Sequence, residues 1–506
     1  MSARKRTKKA KTRKRSKAAK SSRRRKNNST NSKAIPAESN ARALEKLREW
    51  LLPKDQIFAG LKLHGNTDWS PANLVWLALC WAWEESRNLT DAFDEAKDQC
   101  RQLGIAALDT YQGMMKALVR WTDPLMVVVW SVLHQRMRKI RGKHWRTDGW
   151  VPIAFDGSRS SAPRTVSNED ALCAPNYGHG PTAKYRKKKT KGMRRRKNEK
   201  NKPQPQEPQA WITMLWHMGL RLPWMWRLGP SNSSERAHVQ EMLEVGDFPE
   251  NTLFCGDAGF VGYPLWSQII ERGDHFLVRV GGNVYLLYEL ANVCFESSNR
   301  VLCWPQEAQS KHLPPLTLRL VKVKIGQTKM WMLTSVLDSR RLSKLLIARF
   351  YRMRWGIELE FRGLKQTLDR AKLRCRNSER LLAELNWSIL AMAVAELFAL
   401  KEQLASRNGG EKSVARADPG KRSLANVIRA LRRCLRRLNR TPAPGEDLTS
   451  QLRMAVTDSY QRKSSKKARY RPPNPDKKPL GDPNLRRLND KERRALKALA
   501  TQKTTA

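Results

Sequence analysis

Tyr351-Arg-Met-Arg-Trp-Gly-Ile-Glu-Leu-Glu-Phe-Arg-Gly-Leu-Lys365 reads as part of a long helix spanning about 340–370. Tyr351, Arg354, Glu358 and Lys365 are separated by 3, 4 and 7 residues. At about 100° per residue they fall within roughly 60° of arc on one face, and Arg362 lies on the same stripe. A stripe of this kind serves as a solvated face laced by i,i+4 ion pairs. It serves equally as a carboxylate metal ligand set in a row of phosphate contacts, and the helix alone leaves both open.

Two upstream segments bear on the choice. Val151–Phe155 is an apolar strand running into Asp156-Gly157, and Thr252–Cys255 is a short strand running into Gly256-Asp257. Strand ends fix the backbone and present side chains to solvent, although an Asp-Gly pair by itself is also a common turn signal. Between and after them the pattern predicts a hairpin at Trp211–Gly219 and Leu222–Leu228, and a helix near Glu235–Val245. A helix at Tyr263–Arg272 and a strand at His275–Val280 follow. β-like runs occupy 283–336, among them Leu316–Ile325 and Lys329–Leu333, and a second apolar helix lies at about 379–400.

Tyr, two residues, Arg, three residues, Glu, six residues, Lys resembles the YREK signature of bacterial cut-and-paste DDE transposases of insertion-sequence family four. Tyr351, Arg354, Glu358 and Lys365 fill it, and the order of Asp156, Asp257 and Glu358 is that of the family. The similarity covers about residues 150–400. It implies an α/β fold: a ribonuclease H-like catalytic core with a β-rich insertion between the second Asp and the Glu, at about 283–336. It further implies that Asp156, Asp257 and Glu358 are catalytic and hold two Mg²⁺ ions (Mn²⁺ as substitute), which suit all-oxygen ligands. Tyr351, Arg354, Arg362 and Lys365 would then contact DNA phosphates. Related enzymes place a Trp on the strand leaving the insertion, stacked on a flipped base. Trp331 stands at nearly the corresponding distance before Glu358, although most of the 18 tryptophans are expected in the core. The expected activity is DNA transposition, that is, cleavage at transposon ends and strand transfer into target DNA, by a homodimer assembled on DNA.

Charge agrees with a polyanionic partner. The net charge is +51, and residues 1–40 carry 16 Lys and Arg against one acid, Glu38. Residues 184–202 carry 12 against Glu199, and residues 401–506 carry 28 against 10. Most of the positive charge therefore lies in these three segments, and the remaining body is an ordinary globular protein with basic appendages suited to sequence-independent phosphate attraction. The expected layout is a disordered basic tail at 1–40, an all-helical domain at 41–148, the catalytic domain at 149–400, and a basic C-terminal region at 401–506. The catalytic domain carries an exposed basic loop at 184–209, and the C-terminal region is expected to be largely mobile apart from a helix at Leu424–Leu438. Within 41–148, Asp109–Trp121 and a segment starting at Asp123-Pro124 read as separate helices, and three short helices admit a helix-turn-helix reader or a plain bundle.

Eight cysteines form no CxxC pair and do not cluster with histidines, which argues against structural zinc and disulfides and for a reducing, cytoplasmic, nucleoid-associated location. The apolar runs are shorter than the roughly 20 residues of a membrane helix, so no membrane partner is expected. A tyrosine recombinase is disfavoured, because none of the eight histidines has Arg three residues later. A ribonuclease H-like nuclease without strand transfer, and a catalytically silent DNA-binding relative, are the alternatives.

Overall fold

The computed structural model describes residues 39–53, 55–63, 67, 69–140, 144–172, 207–288, 298–405, 418–457 and 480–504. Nearly all of the basic tail expected at 1–40, and the basic loop up to residue 206, lie outside them. Residues 37–506 form one compact unit.

Four helices open the described chain: α1 (Asn40–Leu51), α2 (Pro71–Trp83), α3 (Leu89–Gln102) and α4 (Tyr111–Lys139). Ser70 caps α2 by accepting from the Asn73 N–H, with Pro71 in the first turn. Eleven of the thirteen α2 residues are buried, so this helix lies inside the fold and has no free face to lay in a DNA groove. Asp123-Pro124 does not divide the fourth helix as expected. α4 runs unbroken through Pro124, because the buried Leu118, Leu125, Met126 and Val129 on either side pack into the core and outweigh the backbone bond that proline deletes.

β1 (Val151–Ser161), α5 (Val166–Leu172), β2 (Gln209–His217) and β3 (Leu222–Gly229) come next, followed by α6 (Glu235–Val245), β4 (Thr252–Gly256), α7 (Tyr263–Glu271) and β5 (His275–Val280). The chain continues through β6 (Tyr285–Tyr288), β7 (Ser298–Cys303), α8 (Gln306–Ser310), β8 (Leu316–Ile325) and β9 (Thr328–Thr334). One ten-stranded mixed sheet has the order β10-β6-β7-β8-β9-β5-β4-β1-β2-β3, with β10 at Asn484–Arg487. β1, β2 and β3 are antiparallel neighbours, while β1, β4 and β5 run parallel. β1 is longer than the sequence suggests. Its pairing with β4 ends at Ala154 opposite Cys255, but antiparallel β2 accompanies it to Ser161.

The helix expected at 340–370 is two. α9 (Lys344–Arg354) and α10 (Gly356–Gln366) are separated at Trp355. A Cβ on Gly356 would collide with the Trp216 ring of β2, so glycine permits the close approach that the break requires. The apolar helix α11 (Ser378–Ala405) crosses the core and packs against α2, α4 and β3. Its long apolar stretch is buried within the protein. Trp83 donates to the Ala391 carbonyl and Trp387 to the Thr122 hydroxyl, so the N-terminal helices and the sheet-bearing region share one core. Beyond it, the C-terminal region contains α12 (Leu424–Leu435), α13 (Leu448–Arg453), β10 and α14 (Asp490–Thr504). It thus holds more regular structure than one helix, and β10 adds a parallel strand to β6.

Candidate active site

Asp156 lies just past the last β1–β4 pair, and Asp257 just past the end of β4. Extending the register of Ala154 with Cys255 by two residues sets the two aspartates side by side. Gly256 keeps β1 and β4 close, since a Cβ there would enter the Phe155 ring. Asp156 Oδ1 accepts from the Gly157 N–H at 2.9 Å, and Asp257 Oδ1 accepts from the Gly259 N–H at 2.7 Å. α10 packs against β1 and carries Glu358 in its first turn. Asp156, Asp257, Glu358, Arg362 and Lys365 line one cavity of 450 Å³ together with Ser158.

Arg354 ends α9 and is buried. It donates to Asp156 Oδ2 at 3.2 Å and stands 3.5 Å from Glu358 Oε1, with its guanidinium over the Tyr351 ring. Lys365 Nζ donates to Ser158 Oγ at 2.8 Å, and burial lowers its pKa. The signature thus acts from two helices: Tyr351 and Arg354 come from α9, and Glu358, Arg362 and Lys365 from α10. Trp331 is not brought to this cavity. Its ring is only 6% exposed, its Nε1 donates to Asp482 at 2.6 Å, and Lys322 lies over it. As placed, the ring faces protein rather than solvent. Trp355, at the helix break beside Arg354, is 57% exposed.

A fourth carboxylate escaped the sequence analysis. Glu235 begins α6, and a Cβ on Gly157 would collide with its Oε1. A Cβ on Gly259, two residues after Asp257, would lie 3.9 Å from its Oε2. Burial first, then the charges of Asp156 and Asp257, raise the Glu235 pKa to about 7. Burial raises Asp156 to about 6 against the opposing pull of Arg354. In sequence Glu235 resembles an ordinary first-turn acid behind the Ser234 cap. Only the tertiary approach of α6 to Gly157 shows it beside the aspartates.

This donor set is all oxygen, as a hard divalent cation requires. Among the described residues no three carboxylate, imidazole or thiol groups close on a single point, and Arg354 provides the positive charge between Asp156 and Glu358.

Residues 156–394 match the family described as transposase DDE domain. The chain is 27% identical over 168 residues to the transposase InsG for insertion sequence element IS4 of Escherichia coli (strain K12). That alignment covers 32% of this chain and 37% of the relative, so the chain spans little more than a third of that relative's length. A solved piggyBac transposase synaptic complex with hairpin DNA is 12% identical, with a TM-score of 0.34, over 83% of this chain and 84% of that one. Both likenesses point the same way: the segment that carries Asp156, Asp257 and Glu358 is similar to a transposase DDE domain, and part of the chain is similar to an IS4-element transposase.

Proposed function

We propose that the chain is a DNA transposase that cleaves transposon ends and joins the freed 3′-hydroxyls to target DNA. The observation that carries this is that Asp156, Asp257 and Glu358, from two neighbouring strands and a separate helix, line one cavity with Arg362 and Lys365. The order β3-β2-β1-β4-β5, with β2 antiparallel to β1, supports a ribonuclease H-like core. Strands β6 to β9, which extend the sheet between Asp257 and Glu358, support a β-rich insertion.

The three carboxylates would hold two Mg²⁺ ions, with Glu235 as a further oxygen within reach. Bound ions of this kind activate an attacking oxygen and stabilise the leaving one in phosphoryl transfer. The side chains account for the remaining steps. Arg362 and Lys365 attract and orient phosphate oxygens at the cavity rim. Arg354 keeps Asp156 and Glu358 near one another by neutralising part of their repulsion. Tyr351 supports the guanidinium face of Arg354. A base-stacking role for Trp331 requires its bond to Asp482 to open. The expected assembly is a homodimer that holds two ends together.

Joining separates this function from that of a nuclease with the same carboxylates. Oligonucleotide duplexes carrying the inverted repeats that flank the coding region, pre-cut to expose a 3′-hydroxyl, are incubated with a supercoiled plasmid and Mg²⁺. Covalent joining to the plasmid is the expected result. Cutting of intact ends with no joining of pre-cut ones would make the chain a nuclease.

A further inference from the structure

Away from the carboxylate cavity, where the start of α3 meets the start of α11, lies a hollow of 760 Å³. Arg87, Arg374, Arg376 and Arg380 line it, with Asn88 and Asn377, and no acidic side chain does. Arg374 is fixed: it donates to the Ser86 carbonyl at 2.7 Å and to Asp369 at 2.6 Å. Among the described residues the guanidinium groups of Arg87, Arg376 and Arg380 have no carboxylate partner. The two asparagines add to this bias. The Asn88 side-chain oxygen accepts from the Thr90 N–H and hydroxyl, and the Asn377 oxygen accepts from the Arg380 N–H. Each amide group therefore has its NH₂ left over as a donor. A wall that offers guanidinium and amide donors and no carboxylate is suited to an anion and repels a cation.

The hollow is wide enough for a sugar-phosphate unit and not only for a bare oxyanion. It is also tied to the carboxylate cavity through the chain. Residues 367–377 run directly from the end of α10, which carries Lys365, to Arg374 and Arg376, and on the way Lys372 pairs with Ser161 at the far end of β1. We propose that this hollow binds a backbone phosphate of the DNA, apart from the scissile one, and holds the flanking strand in register. The proposal rests on the DNA-transposase function above.

The test compares the full-length Arg376→Ala/Arg380→Ala protein with a charge-matched control, Lys324→Ala/Lys329→Ala, a facing pair on β8 and β9 next to their turn. Duplex binding is measured against salt without divalent cation. Each phosphate contact contributes about 0.9 to the slope of log K against log salt. The pocket variant is expected to lower that slope by about one and to weaken binding roughly tenfold relative to the control. Arg376→Lys/Arg380→Lys keeps the charge but loses the fork that grips a phosphate, so it should fall between the two. Equal losses in the pocket and control variants, or full retention by the lysine variant, would overturn the proposal. Inorganic pyrophosphate provides a separate arm. If it raises the melting temperature as much as an oligonucleotide of equal phosphate content, and through the same arginines, the site belongs to a free anion and not to DNA. A failed transposase function would instead show as a wild-type protein that binds duplex but never cuts or joins it.

Discussion

Glu235 is the residue at which sequence and fold diverge most. The two aspartates and Glu358 can be read from strand ends and a helical stripe. Glu235 cannot, because its meaning depends on α6 crossing the bare Cα of Gly157. Gly157, which reads as half of a turn, is glycine inside a continuous strand so that this carboxylate can come close. A testable consequence concerns pH. Asp156, at about 6, and Glu235, at about 7, both hold their protons more tightly in the fold than in an unfolded chain, whose values are about 4. Their contribution to stability is therefore fully present below about pH 4, and is lost as pH rises through about 6 and then about 7. Melting temperature without divalent cation should fall across that window, and Glu235→Gln should flatten the upper part of the fall. Superimposable pH profiles of wild type and E235Q would show that the carboxyl is not held as described. At pH 7.5, added Mg²⁺ should raise the melting temperature of the wild type more than that of Asp257→Asn, because ionised carboxylates gain a cation only where the site is complete.

Among the elements, the strands and α6 stand close to where periodicity places them, and the discrepancies lie where packing overrides local signals. Pro124 is carried inside α4 by buried neighbours on both sides. The helix expected at 340–370 is interrupted because α10 must pass within touching distance of Trp216. No periodicity in the segment itself records the position of a distant tryptophan. Gly356 supplies a prediction with a definite sign. In an open helix, Gly→Ala stabilises by about 1 kcal/mol. Here the added methyl meets the Trp216 ring, so Gly356→Ala should lower the melting temperature and displace Glu358, reducing cleavage more than duplex binding. Higher stability with unchanged cleavage would mean that α10 is not held against β2.

On the scale of the whole molecule, the helical N-terminal part, the sheet and the C-terminal region are one structure. A layout drawn from changes in composition separates them, because composition does not report which apolar faces meet. Arg422 is a tie among them. It is buried beside Glu396 at 3.3 Å and donates to the carbonyl of Leu220 and to that of Arg221. Removing it leaves the buried Glu396 without its ion-pair partner and Glu360 with Arg221 as its remaining nearby cation, and breaking a buried pair costs about 3–5 kcal/mol. Arg422→Ala should therefore lower the urea midpoint markedly, while Arg433→Ala on the exposed side of α12 should not. Equal midpoints would show that the C-terminal region is not integral to the core. Removing residues 1–40, which are rich in Lys and Arg, should weaken binding to every duplex and flatten its salt dependence without changing end preference. Loss of end preference at constant affinity would make that segment a sequence reader. The central claim is that Asp156, Asp257 and Glu358 form one phosphoryl-transfer centre in a DNA-binding protein. Its most direct measurement follows cleavage of a plasmid carrying the flanking inverted repeats, with Mg²⁺, by wild type, Asp156→Asn, Asp257→Asn and Glu358→Gln, with duplex affinity determined on the same preparations. The account predicts that each variant loses cleavage while keeping wild-type affinity, and near-wild-type cleavage by any one of the three would contradict it.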